Sequence, residues 1–154
     1  MLNMKASRAD VIEIGFWTRS TLEYIKKHYS TWWCSDLGGA CGVGAFISQR
    51  LLKHVLGMSS TLVMGEEEDT AHCWIELIVD DTPHVLDVTA TQFGKQLPEV
   101  YLTSREKYYQ NYFVSVLNSF HYDDRALRMF HRWPDCQRPM TWTHEMAAVL
   151  PGLL

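Results

Sequence analysis

Residues 71–92 read AHCWIELIVDDTPHVLDVTATQ. Two runs rich in β-branched, aromatic and aliphatic residues flank Asp80-Asp81-Thr82-Pro83, a pattern that predicts strands over 71–79 and 84–92 joined by a turn. Side chains alternate between the faces of a strand. In the first strand Cys73, Ile75, Leu77 and Val79 make an apolar face, and His72, Trp74, Glu76 and Ile78 point the other way. In the second, Leu86 and Val88 share one face, while Val85, Asp87, Thr89 and Thr91 take the opposite one. Pairing either Val79 or Leu77 with His84 sets Leu86 and Val88 beside Ile75 and Leu77, and it puts His72 on the face of Asp87. With Leu77 opposite His84, His72 stands opposite Thr89 and Asp87 is its diagonal neighbour, within side-chain reach. A slip of one residue sends the two to opposite faces. The apolar pattern therefore predicts a His72–Asp87 pair.

Upstream, DLGGACGVGAFISQRLLKHVLG (36–57) places Cys41 among glycines at the start of a helix. Val43, Phe46, Ile47, Leu51, Leu52 and Val55 follow a 3.6-residue period from Cys41 to about Leu56, and Gly57 sits where a C-terminal cap belongs. Gly42 and Gly44 cost about 1 kcal/mol each in a helix relative to alanine. Their presence in the first turn leaves room for a close approach to the backbone. A thiol there feels the positive end of the helix dipole, which lowers its pKa. An adjacent histidine accepts the thiol proton, and a carboxylate on the other ring nitrogen fixes tautomer and orientation. Cys41, His72 and Asp87 fill these three roles in chain order, with the Cys41 N–H as one oxyanion donor. The second donor is not assigned by the sequence; Trp33 and side chains of the WWCSD loop are weak candidates.

The rest of the chain supplies the setting. Its 154 residues, 47% hydrophobic and 21% charged, suit one domain with a core of its own. Residues 8–29 carry Val11, Ile14, Leu22 and Ile25 near helical spacing, with Ser7 and Asp10 as an N-terminal cap. STLVMG (60–65) reads as a short strand and EEEDT as an acidic loop. Thr103 and Glu106 form a capping box that opens a helix over SREKYYQNYFVSVLNSF. DDRALRMFHRW reads as a further helix ahead of a proline-broken tail ending in HEMAAVL. Helices, then strands, then helices predict an α+β fold with a small antiparallel sheet packed on the Cys41 helix.

The trio also carries a resemblance. GGACGVGAFISQRLL, AHCWIEL and VLDVTA resemble the core of the transglutaminase-like superfamily, the papain-related Cys-His-Asp enzymes. In that family the cysteine opens a helix, the histidine lies early in a strand within an H-x-W-x-E-like stretch (here His72 to Glu76), and the aspartate follows on the next strand. The resemblance spans about residues 36–92 of one transglutaminase-like domain, with a helical C-terminal part over about 103–150. It implies thioester chemistry on amides: peptidase, glutamine deamidase, transglutaminase or other acyl transfer. Calcium dependence is not carried over, because the flanks show none of the extra domains of the large calcium-dependent transglutaminases.

Several alternatives are weaker. Cys34 is a rival nucleophile in a loop, without a helix directly behind it. Cys73 points to the core. Trp74, on the His72 face, and Trp33 are candidate substrate-binding residues, and the acidic loop is a candidate attractor for a basic substrate. Cys34, Cys41, Cys73 and Cys136 form no CxxC pair, and HEMAA at 144–148 lacks the second histidine of a zinc-protease helix, so no metal or other cofactor is expected. A net charge of −4 disfavours nucleic acid as a partner, and the apolar runs fall short of a membrane span. Asp10 and Glu13 interrupt the place of a secretory leader's apolar core, which points to a cytoplasmic protein or a delivered effector. The expected partner is a protein or peptide substrate. A catalytically silent adaptor or inhibitor on the same fold is the competing reading.

Overall fold

A computed structural model describes residues 5–28, 33–67, 70–94, 96–111 and 115–121. The order is α1 (Arg8–His28), α2 (Cys41–Leu56), β1 (Thr61–Glu67), β2 (Thr70–Val79), β3 (Thr82–Asp87), β4 (Tyr101–Ser104), α3 (Arg105–Asn111) and β5 (Ser115–His121), with a 3-10 turn, Ala90–Gln92, after β3. The strands form one antiparallel sheet in the order β4-β3-β2-β1-β5. The fold class is α+β, as expected.

Both long helices begin and end as their chemistry dictates. Ser7 and Asp10 cap α1 reciprocally: Ser7 N–H donates to Asp10 Oδ2 at 2.8 Å and Asp10 N–H donates to Ser7 Oγ at 3.2 Å. Gly57 closes α2 in the left-handed region with φ of 66°, and the Met58 N–H returns to the Leu52 carbonyl at 3.0 Å.

The central hairpin turns on Asp80 and Asp81, whose φ angles are 50° and 63°. Two successive residues in that region make the tight connection that suits the twist of a hairpin. Val79 then pairs with Thr82, Leu77 with His84 and Ile75 with Leu86. The second strand therefore starts earlier than expected, and Pro83 lies inside it. Val79 and Thr82 close the hairpin as the hydrogen-bonded pair, so the Pro83 nitrogen faces away from β2, at a position where β4 does not pair. The strand also ends at Asp87 rather than near residue 92, because residues 88–92 bend away into the 3-10 turn.

This register gives the sheet two faces. Leu62, Cys73, Ile75, Leu77, Val79, Leu86, Val88 and Leu102 join the side chains of α1 and α2 in the main core. Val63, Trp74, Val85 and Tyr108 form a smaller core beneath α3 on the other face. Arg105 and Tyr109 of α3 both bond Glu76 on β2, the guanidinium at 3.1 Å, which fastens this helix to the sheet.

Three further expectations change. The helix expected over SREKYYQNYFVSVLNSF stops at Asn111; Ser115–His121 pairs with β1 as an edge strand instead. Ser104 is the cap, accepting the Lys107 N–H at 3.2 Å, one residue later than the Thr103 box implied. The acidic stretch carries strand at both ends, since β1 runs to Glu67 and β2 begins at Thr70. DDRALRMFHRW, HEMAAVL, Cys136 and the rest of the tail lie outside the described residues.

Gly44 sets how closely the first turn of α2 sits against α1 and the chain just beyond β3. A Cβ there falls 2.9 Å from Val88 Cγ2 and 3.0 Å from Leu22 Cδ1, so the close approach these glycines allow is, at Gly44, made by the protein itself. Gly44→Ala gains helix propensity yet forces this contact apart, and a net loss of about 1–3 kcal/mol is expected. Urea unfolding of the two proteins measures it; an equal or higher midpoint for the variant contradicts this packing.

Candidate active site

The site lies where α2 begins and where the paired part of β3 ends. Ala40, in the N-cap position, has no side chain able to cap the helix, so the Cys41 end of the dipole meets the site uncovered. The preceding loop fixes that end. Cys34 N–H bonds the Gly38 carbonyl at 3.0 Å, Leu37 N–H bonds the Cys34 carbonyl at 2.9 Å, and Gly38 N–H bonds Asp36 Oδ1 at 3.0 Å. Leu37 adopts a φ of 65° with its side chain buried in the core, a strained backbone that this bonding and packing sustain.

His72 and Asp87 meet on the face that their alternation implied. Both are buried, and His72 Nε2 lies 2.7 Å from Asp87 Oδ2. The carboxylate accepts three further hydrogen bonds: Tyr108 Oη–H on Oδ2 at 2.9 Å, and the Thr89 N–H at 3.0 Å and hydroxyl at 3.5 Å on Oδ1. Across the sheet from His72 stands Gly65 of β1, which puts no side chain against the imidazole.

With Nε2 taken by Asp87, Nδ1 is the ring nitrogen left for proton exchange with the half-buried Cys41, which lies close enough to His72 and Cys73 for each to act on its ionisation. The hydrogen bond from Cys73 is the largest influence on Cys41; with the bond and charge of His72 it outweighs burial and holds the thiol well below its ordinary value of 9.0. Burial pushes His72 down, but the charge and hydrogen bond of Asp87, joined by Cys41, raise it to about 10. The Cys73 thiol is driven well above 9.0 by its bond to Cys41 and by burial, so it stays protonated. Burial, followed by the neighbouring Asp87 charge, also keeps Tyr108 protonated as a donor.

The remaining expected residues fall elsewhere. Trp74 and Trp33 are core side chains, 1% and 5% exposed, rather than the walls of an open cleft. The Trp74 ring packs 5.2 Å from Tyr108 and 5.8 Å from Tyr109, because the His72 face of β2 is roofed by α3. Cys34 is exposed, on the loop before α2. Among the described residues no group of three His, Cys, Asp or Glu side chains could hold a metal ion, and no helix is long and apolar enough to cross a membrane. A surface cavity of about 500 Å³ lined by Lys53, Ser60, Glu76, Ile78 and Arg105 lies toward the opposite end of β2 and does not include the trio.

Tyr108 and Thr89 are contacts the sequence reading missed. Tyr108 stands 21 positions from its partner on an element of its own, and no short-range pattern links the two. Gln92, whose amide nitrogen lies 3.1 Å from His72 Nδ1, was absorbed into an expected strand.

Comparison with known proteins returns nothing: no family model matches the chain, and no curated protein or solved structure matches it either.

The proton count of the site can be tested by stability. The folded Cys41–His72 pair holds one proton, whichever member carries it. Between about pH 6.5 and 9.0, the ordinary values of the two groups, the unfolded chain also holds one, on the cysteine. The pair therefore adds no pH dependence in that window. In Cys41→Ala the charge and hydrogen bond of Asp87 still raise His72 against burial, without the share that Cys41 contributes, and the folded protein is expected to keep a proton on His72 that the unfolded chain lacks. A raised histidine stabilises fully below 6.5, and that stabilisation is lost as pH rises toward the folded value. Urea midpoints are expected to fall with pH in the variant, by up to about 1.4 kcal/mol per unit relative to wild type. Parallel profiles for the two proteins would contradict a His72 that Asp87 holds protonated by itself.

Proposed function

We propose that this protein is a cysteine-dependent hydrolase or acyltransferase that attacks an amide carbonyl. The observation that carries the reading is the buried His72–Asp87 bond, with Cys41, at an uncapped helix start, close enough to His72 for the two to act on each other's ionisation. A lone buried histidine needs no such thiol, and a structural cysteine needs no helix N-terminus.

In this reading Cys41 Sγ, as the thiolate, adds to the substrate carbonyl carbon while His72 carries the proton. The Cys41 N–H donates to the developing oxyanion. Collapse expels the amine, which takes the His72 proton and leaves a thioester on Cys41. Water, or an amine acceptor, then gives a proton to His72 as it attacks the thioester, and the thiol is restored. Asp87 holds the Nε2–H tautomer throughout and remains ionised. The helix–strand–strand arrangement of the trio supports a transglutaminase-like domain, and peptide cleavage or glutamine deamidation are the preferred reactions.

Brief alkylation at about pH 6, well below an ordinary thiol pKa, is expected to label Cys41 ahead of Cys34 and Cys73, with the selectivity lost in His72→Ala. In a screen of peptides and glutamine-containing proteins, read as new amino termini or released ammonia, Cys41→Ala is expected to lower turnover at least about 10³-fold with its fold intact. Equal labelling of the three thiols, or full turnover by Cys41→Ala, overturns the assignment.

A further inference from the structure

The segment after Asp87 folds back over the imidazole. From the turn Ala90–Gln92, Gln92 Nε2 reaches 3.1 Å from His72 Nδ1 and 3.4 Å from Thr89 Oγ1. Phe93 meets the imidazole edge to face, with ring centroids 4.6 Å apart. The turn is anchored from behind by the buried Arg19, whose Nη1 donates to the Val88 carbonyl and to Thr91 Oγ1, each at 3.0 Å. Gln92 is therefore held against the histidine by its neighbours on both sides.

The hydrogens fix which way its amide points. Asp87 Oδ1, 3.5 Å from the Thr89 hydroxyl, can only accept, so the hydroxyl proton is best directed there and Thr89 Oγ1 offers Gln92 a lone pair. The amide NH2 group suits that acceptor, and its second proton points at Nδ1. A neutral imidazole with Nε2–H on Asp87 has one lone pair, and it lies at Nδ1. Gln92 stands as a donor to that lone pair, the same one that must accept the Cys41 thiol proton. Once His72 takes the thiol proton, Nδ1 becomes an N–H and the Gln92 bond is lost. The amide thus stabilises the uncharged pair and not the ion pair.

Resting on Cys41 as the nucleophile, we propose that Gln92 is a positioning residue that acts through His72, biasing the Cys41–His72 pair toward thiol and neutral imidazole in the free protein. Among the described residues the ionisable groups that act on the imidazole are Cys41 from α2 and Asp87 from β3, with Tyr108 of α3 behind it; Cys73, next to His72 on β2, points to the opposite face and acts on the thiol. β1 presents Gly65, Arg19 of α1 is committed to the carbonyl and hydroxyl named above, and the turn itself contributes no ionisable side chain. The bias therefore comes from a neutral donor, and removing that donor adds or deletes no charge.

The test is the rate of Cys41 alkylation by iodoacetamide as a function of pH, read by mass spectrometry on the intact folded chain. Gln92→Leu and Gln92→Met remove the donor while keeping side-chain bulk, and Gln92→Met preserves its length should the leucine variant unfold. The loss of one hydrogen bond to the neutral imidazole is expected to move the midpoint down by about 0.5–1 pH unit, with faster labelling at pH 6. An unchanged midpoint in a folded variant overturns the proposal, because a merely structural side chain leaves the profile in place. A midpoint moved upward also overturns it, since the amide would then be presenting its oxygen to the imidazolium. Selective wild-type labelling with an unshifted variant removes only the role of Gln92. Unselective labelling of the wild-type thiols removes the nucleophile itself.

Discussion

The two-residue turn at Asp80 and Asp81 is the constraint on which the centre of the molecule depends. Its left-handed residues allow one closing pair, Val79 with Thr82, and every later pairing of β2 with β3 follows by count. Aspartate tolerates that conformation better than most residues because its short polar side chain bonds locally. In this register Ile75 and Leu86 share the face that α2 covers, and His72 and Asp87 share the other. A connection one residue longer turns one strand over, sends Leu86 to the α3 side and separates the histidine from its carboxylate. Core packing and the candidate site thus rest on the same turn.

Asp87 is the second point of convergence. A buried carboxylate is costly unless each lone pair finds a donor. Here the donors come from β2, from α3 and from the backbone two residues on: His72, Tyr108 and Thr89. The carboxylate that orients the imidazole therefore also ties α3 to the sheet, alongside the Glu76 contacts of Arg105 and Tyr109. Because Asp87 ends β3, the chain beyond it is free to bend. That bend produces the 3-10 turn, which brings Gln92 and Phe93 back over His72.

What could be read from the residues alone follows physical range. The Cys41 helix was legible because its period, its glycine cap and its length all agree within 17 residues, Cys41 to Gly57. The meeting of His72 with Asp87 was legible because one hairpin links them and alternation leaves few registers. Strand β5 was not, because the apparent capping box and the helix-forming REKYYQ masked the alternation in SVLNSFH, and pairing with β1 decides the outcome across some 50 residues of chain. Trp74 was misjudged for a related reason. Its face was correctly inferred, but whether that face meets solvent depends on α3, which packs there from later in the sequence. Long-range partners such as Tyr108 and Arg19 leave no mark in a short window.

Burial sets the last condition on this site. An imidazolium in a dry interior is unfavourable, and a thiolate alone there is as well. Moving one proton from Cys41 to His72 changes neither the net charge of the cluster nor the number of protons it holds: with Asp87 ionised, the trio carries one negative charge before and after. Burial therefore weighs on the two states far less unequally than it would on either group by itself. The balance between them passes to smaller, directional influences: the open end of α2 and the Cys73 hydrogen bond favour the thiolate, and the amide of Gln92 favours the thiol. A site built this way can be tuned by single hydrogen bonds, because the large electrostatic costs are common to both of its states.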